Sequence, residues 1–85
     1  MYVENVLKEF IVKELMRETD MDSIKSDDSL LEKGIIDSTG IFQLVRFIEE
    51  QFEIKVLDDE LIPENFESTN AIVRFINQKL RQNEA

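Results

Sequence analysis

Three stretches of this chain place apolar residues at helical spacing, and little else in the sequence competes with helix. Val3, Val6, Leu7, Phe10, Ile11 and Leu15 recur at intervals of three and four, along one stripe. Ile41, Leu44, Val45, Ile48 and Phe52 repeat the pattern, as do Ala71, Ile72, Phe75, Ile76 and Leu80. The β-prone residues Ile54, Val56 and Leu57 form too short a run for a sheet and read as a loop tucked against the core. The chain has 85 residues, which predicts one domain over 1–85 with a single modest core. A hydrophobic content of 42% is enough to fold it.

Turn and cap residues set the expected boundaries. The first stripe predicts a helix over 3–18, supported by the Glu4–Lys8 and Glu9–Lys13 pairs with the acid first. Residues 19–36 lose periodicity: Thr19, Asp20, Asp22, Ser23, Ser26, Asp27, Asp28 and Ser29 favour caps and turns. Within that long loop Ile24, Leu30, Leu31, Ile35 and Ile36 read as anchors, and Gly34 permits a tight bend. The second helix is expected from Ser38 to Phe52, capped by Asp37 or Ser38. Phe42 and Phe47 fall off its inward stripe, which puts at least one of them near the surface. Asp58 is expected to cap a short third helix over Asp59 to Ile62, stopped by Pro63. Ser68 then caps a last helix over 69–81, leaving about 82–85 as a frayed tail. The predicted fold is all-α: a four-helix bundle with three long helices, one short one and a long loop between helices one and two.

Charge narrows the range of partners. The net charge is −9, from 19 acidic and 10 basic residues. Nine acids and two bases lie between Asp37 and Glu67, while the chain after Ser68 is net basic. Such a surface repels phosphate backbones and anionic lipid and is steered towards basic patches on other proteins. Neither nucleic-acid binding nor membrane insertion is expected, because no apolar run approaches about 20 residues. No secretory signal pattern is visible, so the expected state is a cytoplasmic monomer.

The side-chain inventory excludes several chemistries. There is no Cys and no His, so disulfides, Cys nucleophiles and the usual neutral-pH base are absent. A calcium loop starting at Asp20 would need oxygen ligands, Gly and Glu where the chain has Ile24, Lys25 and Leu31, so no metal site is expected. Asp58, Asp59 and Glu60 crowd like charges on a short exposed element, which suits a partner-facing surface better than acid–base catalysis. Ser38 has no His to activate it as a hydrolase nucleophile. The chain is therefore not expected to be an enzyme.

The segment Gly34-Ile35-Ile36-Asp37-Ser38-Thr39-Gly40 remains. Asp-Ser before an apolar periodic run is an ordinary helix cap. Yet Gly40 falls in the first helical turn, where Gly costs about 1 kcal/mol relative to Ala, which suggests a close approach to the backbone. A phosphate esterified to Ser38 would sit by unsatisfied N–H groups at the positive end of the helix dipole.

Across nearly its whole length the chain resembles the acyl carrier protein family and its peptidyl carrier relatives. Asp37-Ser38 matches the family's attachment motif, preceded by Leu30-Leu31-Glu32-Lys33-Gly34-Ile35-Ile36 and followed by a helix running into Glu49-Glu50-Gln51-Phe52. Asp58-Asp59-Glu60-Leu61 and Asn65-Phe66-Glu67-Ser68 resemble the short third helix and the approach to the fourth. The resemblance implies a 4′-phosphopantetheine arm on Ser38, moved from coenzyme A by a phosphopantetheinyl transferase with magnesium held largely in the transferase site. The arm's thiol would carry acyl or aminoacyl groups as thioesters between partner enzymes. It further implies partners, acyl-activating ligases or synthases with basic docking patches, that read Asp37, Thr39, Phe42, Glu49 and Glu50, with Asp58, Asp59 and Glu60 as a second acidic patch.

Thr39, Gly40, Gln43 and Arg46 stand where many fatty-acid-synthesis carriers have Leu and further acids. That departure suits a dedicated carrier for an acyl-activating ligase, a polyketide- or lipid-modifying pathway, or an aminoacyl pathway such as D-alanine transfer. An unmodified acidic helical adaptor explains charge and periodicity equally well, but gives Ser38 and Gly40 no role.

Overall fold

The computed structural model describes residues 2–20 and 23–84, in backbone alone at 38, 83 and 84. The first helix, α1 (Tyr2–Phe10), runs on into π-helical turns over Ile11–Leu15. The Met16 N–H donates to the Ile11 carbonyl at 2.9 Å, a bond spanning five residues. This wider turn shifts the register, so Val12 is fully buried beside Leu7 and Ile11 although a 3.6-residue period leaves it out. The helix also ends before the expected residue 18. Arg17 adopts φ 57°, and the Glu18 N–H turns back to the Val12 carbonyl at 2.9 Å. Lys13 pairs with Glu9 at 3.3 Å, whereas Glu4 accepts a hydrogen bond from the Ser26 hydroxyl and so ties α1 to the loop.

That loop is fixed near its middle to the segment entering the last helix. Ile24, Leu30 and Ile36 are buried and Ile35 half-buried. The Leu30 N–H donates to the Glu67 carbonyl at 2.8 Å, and the Ser26 carbonyl accepts from the Asn70 N–H at 3.0 Å. Leu31 does not act as an anchor, being 41% exposed. A tight turn closed by Lys33 N–H to Ser29 and Gly34 N–H to Leu31 directs it away from its buried neighbour. Gly34 makes the bend at φ +69°. Within the turn, the Lys25 amide, opposed by partial burial and aided by Lys33 at 3.4 Å, holds the Asp28 carboxyl below its usual range.

Helix α2 spans Ser38–Phe52, with Leu44 and Ile48 fully buried and Ile41, Val45 and Phe52 half-buried. Glu53 closes it in the left-handed conformation at φ 55°. Of the three residues expected to tuck in after it, Ile54 is buried and Val56 half-buried against the core, while Leu57 is 49% exposed.

The short third helix lies later than expected. Asp58–Glu60 form a single 3-10 turn, and α3 is Pro63–Phe66, with Pro63 at its start. The restriction that proline imposes on Ile62 (φ −117°, ψ 151°) does end the turn before it. The fixed φ and missing N–H of Pro63 then suit the first position of a new helix, which carries Phe66 into the core.

Helix α4 (Thr69–Glu84) packs against α1, α2 and α3. The Ser68 hydroxyl accepts from the Ala71 N–H at 3.1 Å, as its cap. Its central position explains why Val73 is buried along with Ala71, Ile72, Phe75 and Ile76. It continues past Arg81 to Glu84, and Ala85 lies outside the described residues. Among the described residues there is no strand. Leu7, Ile11, Leu44, Ile48, Phe66, Ile72 and Ile76 meet in one core with no exposed surface, each contributing about 1.5–3 kcal/mol by burial. The result is the all-α bundle of three long helices and one short one.

Candidate functional site

Ser38 is the first residue of α2. Before it, Asp37 is extended (φ −115°, ψ −169°), which turns its carboxylate back over the helix end. Asp37 Oδ1 accepts from the Gly40 N–H at 2.7 Å, and the Asp37 carbonyl accepts from the Ile41 N–H at 3.0 Å. A Cβ on Gly40 would lie 3.3 Å from Asp37 Oδ1 and 3.9 Å from the Ile35 carbonyl oxygen. The close approach foreshadowed by a glycine in the first turn is thus made by the capping carboxylate itself.

Asp37 and Thr39, the chain neighbours of Ser38, both line a groove of about 280 Å³ beside this helix end. Gly40 forms part of its wall, Gln43 continues it along α2, and Arg17, just beyond the π-helical turns, lines its other side. A serine at the head of a helix, with open space on its flank and a cation in the wall, fits an esterified phosphate. The Ser38 side chain lies outside the described part of the structure.

The other residues predicted to meet partners fall into distinct settings. Thr39, Phe42 and Glu50 share the exposed outer face of α2 with Gln43 and Arg46, and Phe42 is 63% exposed. Glu50 accepts from Arg46 at 3.2 Å. Glu49 is half-buried and accepts from the Val56 N–H at 2.9 Å, so its carboxylate holds the loop after α2. Asp58 and Asp59 are exposed. Glu60 differs from them: it accepts from the Leu57 N–H at 2.9 Å and from Lys79 Nζ at 2.9 Å. The Leu57 amide, opposed by partial burial and aided by the Lys79 ammonium, holds the Glu60 carboxyl below its usual 4.5.

Sequence reasoning missed Arg17, Phe10 and the role of Phe47. The Phe10 and Phe47 rings stack at 4.1 Å with 15° between their planes, joining α1 to α2. The displacement of Phe47 from the inward stripe was the available signal. Among the described residues no cluster of His, Cys, Asp and Glu could hold a metal ion, and no helix is long and apolar enough to cross a membrane.

The described residues form a helical bundle that presents Asp37-Ser38 at the head of α2. No protein-family model matches the chain. A probable acyl carrier protein, PigG, of Serratia sp. (strain ATCC 39006) is 30% identical over 57 residues. That match covers 67% of this chain and 66% of the relative, just under two thirds of its length. A chain in the crystal structure of an FAD-dependent dehydrogenase is 34% identical, with a TM-score of 0.74 over 82% of this chain and 97% of that one. The holo acyl carrier protein from Nitrosomonas europaea has the same fold, at 23% identity and a TM-score of 0.67 over 94% of this chain and 93% of its own. The carrier fold also appears in the Bradyrhizobium japonicum glycine:carrier protein ligase complexed with glycylated carrier protein, at 20% identity and a TM-score of 0.63 over 86% and 92%. This chain is thus similar to acyl carrier proteins in sequence and in fold.

Proposed function

We propose that this protein carries acyl or aminoacyl groups on a 4′-phosphopantetheine arm attached to Ser38. The observation that carries the reading is the position of Ser38: first residue of α2, flanked by Asp37 and Thr39 on an open groove. In the attachment step the Ser38 hydroxyl oxygen bonds to the β-phosphorus of coenzyme A. The pyrophosphate P–O bond breaks, adenosine 3′,5′-bisphosphate leaves, and the hydroxyl proton passes to a base on the transferase. When bound, the arm supplies the thiol that this Cys-free chain lacks and on which cargo rides as a thioester. The residues of the chain do the remaining work. Asp37 fixes the helix end through Gly40, the dipole of α2 favours the phosphodiester charge, and the outer face from Thr39 through Phe42 to Glu50 meets the partner enzymes.

Its role in this reading is to shuttle cargo in the cytoplasm as a monomer, between the transferase, an acyl-activating ligase and downstream enzymes bearing basic patches. Fatty acid, polyketide and aminoacyl cargo all remain compatible with it. One client class has specific support. The 34%-identical chain is shorter than this one, since 82% of this chain accounts for 97% of it, and it belongs to the structure of an FAD-dependent dehydrogenase. A flavin enzyme that oxidises the tethered cargo is therefore a candidate client. The proposal is tested on protein purified from a host with an active transferase: tandem mass spectrometry should release a phosphopantetheine fragment from the peptide containing Ser38. A modification found on another residue, or none on fully active protein, would contradict it.

A further inference from the structure

Three hollows follow one another between α1 and α2, starting at the end of α2 that carries Ser38. The first, lined by Asp37 and Thr39, shares Glu14, Arg17 and Gln43 with a second of about 390 Å³. The second shares Phe10, Glu14 and Phe47 with a third of about 310 Å³ that reaches Gln51. They form one furrow with the stacked, half-buried Phe10–Phe47 pair along its course. Phe47 lies nine residues beyond Ser38, about 14 Å along the helix at about 1.5 Å per residue, which an extended phosphopantetheine arm spans.

Resting on the carrier reading above, we infer that the loaded arm folds back along this furrow. Its phosphodiester faces Arg17, and its thioester end lies over Phe10 and Phe47. Charge supports the near end. Arg17 is exposed, lines both hollows nearest Ser38, and offers a planar guanidinium suited to two phosphate oxygens. The two carboxylates in the same wall are Glu14 and Asp37, and the Asp37 Oδ1 is engaged by the Gly40 amide. Packing supports the far end. The inner face of α2 is closed, with Leu44 and Ile48 fully buried, so cargo there would have to part the core. The furrow takes it with no such opening, and an aromatic pair gives an apolar floor. Arg46 stands on the rim, paired with Glu50.

The test uses isotope-labelled full-length protein loaded with an unlabelled arm by coenzyme A and a transferase. Intact mass is read first. Failure to gain the arm overturns the carrier reading, and this inference with it. On fully loaded protein, isotope-filtered NMR should show contacts from the arm's methyl and methylene protons to the Phe10 and Phe47 rings. Arg17→Gln, an exposed change, should leave the helical dichroism intact and weaken those contacts at least twofold. Full loading with contacts absent, confined to residues 37–40, or directed to Leu44 and Ile48 would overturn the furrow while leaving the carrier reading in place. Contacts unchanged in Arg17→Gln would overturn the role given to Arg17.

Discussion

Asp37 Oδ1 lies 2.7 Å from the Gly40 amide nitrogen and 3.3 Å from the point where a Cβ on Gly40 would stand. One carboxylate oxygen therefore caps α2 and fills the space that a side chain would need. Asp37→Ala should cost about 1 kcal/mol, lowering Tm by about 4–8 °C for a domain of this size. Gly40→Ala in that background should recover about 1 kcal/mol of helix propensity. In the wild-type background it should recover less, because the cap must shift. Thermal melts of the four proteins measure the coupling, and strict additivity would contradict it.

Thr69 is buried, and its Oγ1 meets no hydrogen-bond partner among the described residues. Val has nearly the same shape without the hydroxyl. Thr69→Val should therefore leave stability unchanged or raise it by about 1 kcal/mol, read as Tm. A loss above about 1 kcal/mol would show that the hydroxyl is bonded in solution.

Gly34 sits at φ +69° with nothing within 4 Å of where a Cβ would be. Gly34→Ala thus tests backbone strain without a clash, and should cost about 1–2 kcal/mol in urea melts. Glu53 holds the same left-handed region without being glycine. Glu53→Gly should stabilise the protein, by less than about 1 kcal/mol, since glycine also loosens the unfolded chain.

The Glu60 and Asp28 carboxyls both titrate below their usual 4.5 and 3.8. A depressed carboxyl contributes stability that is fully present above its unfolded pKa and lost as pH falls through its folded one. Unfolding free energy should therefore fall below about pH 4.5. In Lys79→Gln the Glu60 pKa, followed by NMR, should move up towards its ordinary value, with the Leu57 amide still holding it partly down. An unchanged Glu60 titration would show that the ammonium contributes nothing.

How far these features could be read from sequence depended on whether they were local. The apolar period of α2 fixes its span, and the turn residues Asp37 and Ser68 mark the N-caps of α2 and α4, because each bonds an amide three residues away. Val12 was illegible, since its burial follows from a π-helical turn that breaks the 3.6-residue period. Pro63 was misread because one proline both stops the turn before it and starts the helix after it. At the site, Ser38 and Asp37 were visible as a motif. The furrow was not, because Phe10, Arg17 and Phe47 meet only when α1 packs along α2. Glu49 and Glu60 looked like free surface acids, but the fold of the loop after α2 brings the Val56 amide to Glu49, and Glu60 accepts both from the Leu57 amide three residues before it and from Lys79 on α4.

The most direct measurement is the intact mass of the purified protein before and after incubation with coenzyme A, magnesium and a broad-specificity phosphopantetheinyl transferase. A single phosphopantetheine addition that disappears in Ser38→Ala is the predicted result. No addition to protein whose helical dichroism is intact would contradict the carrier account and favour an unmodified acidic adaptor.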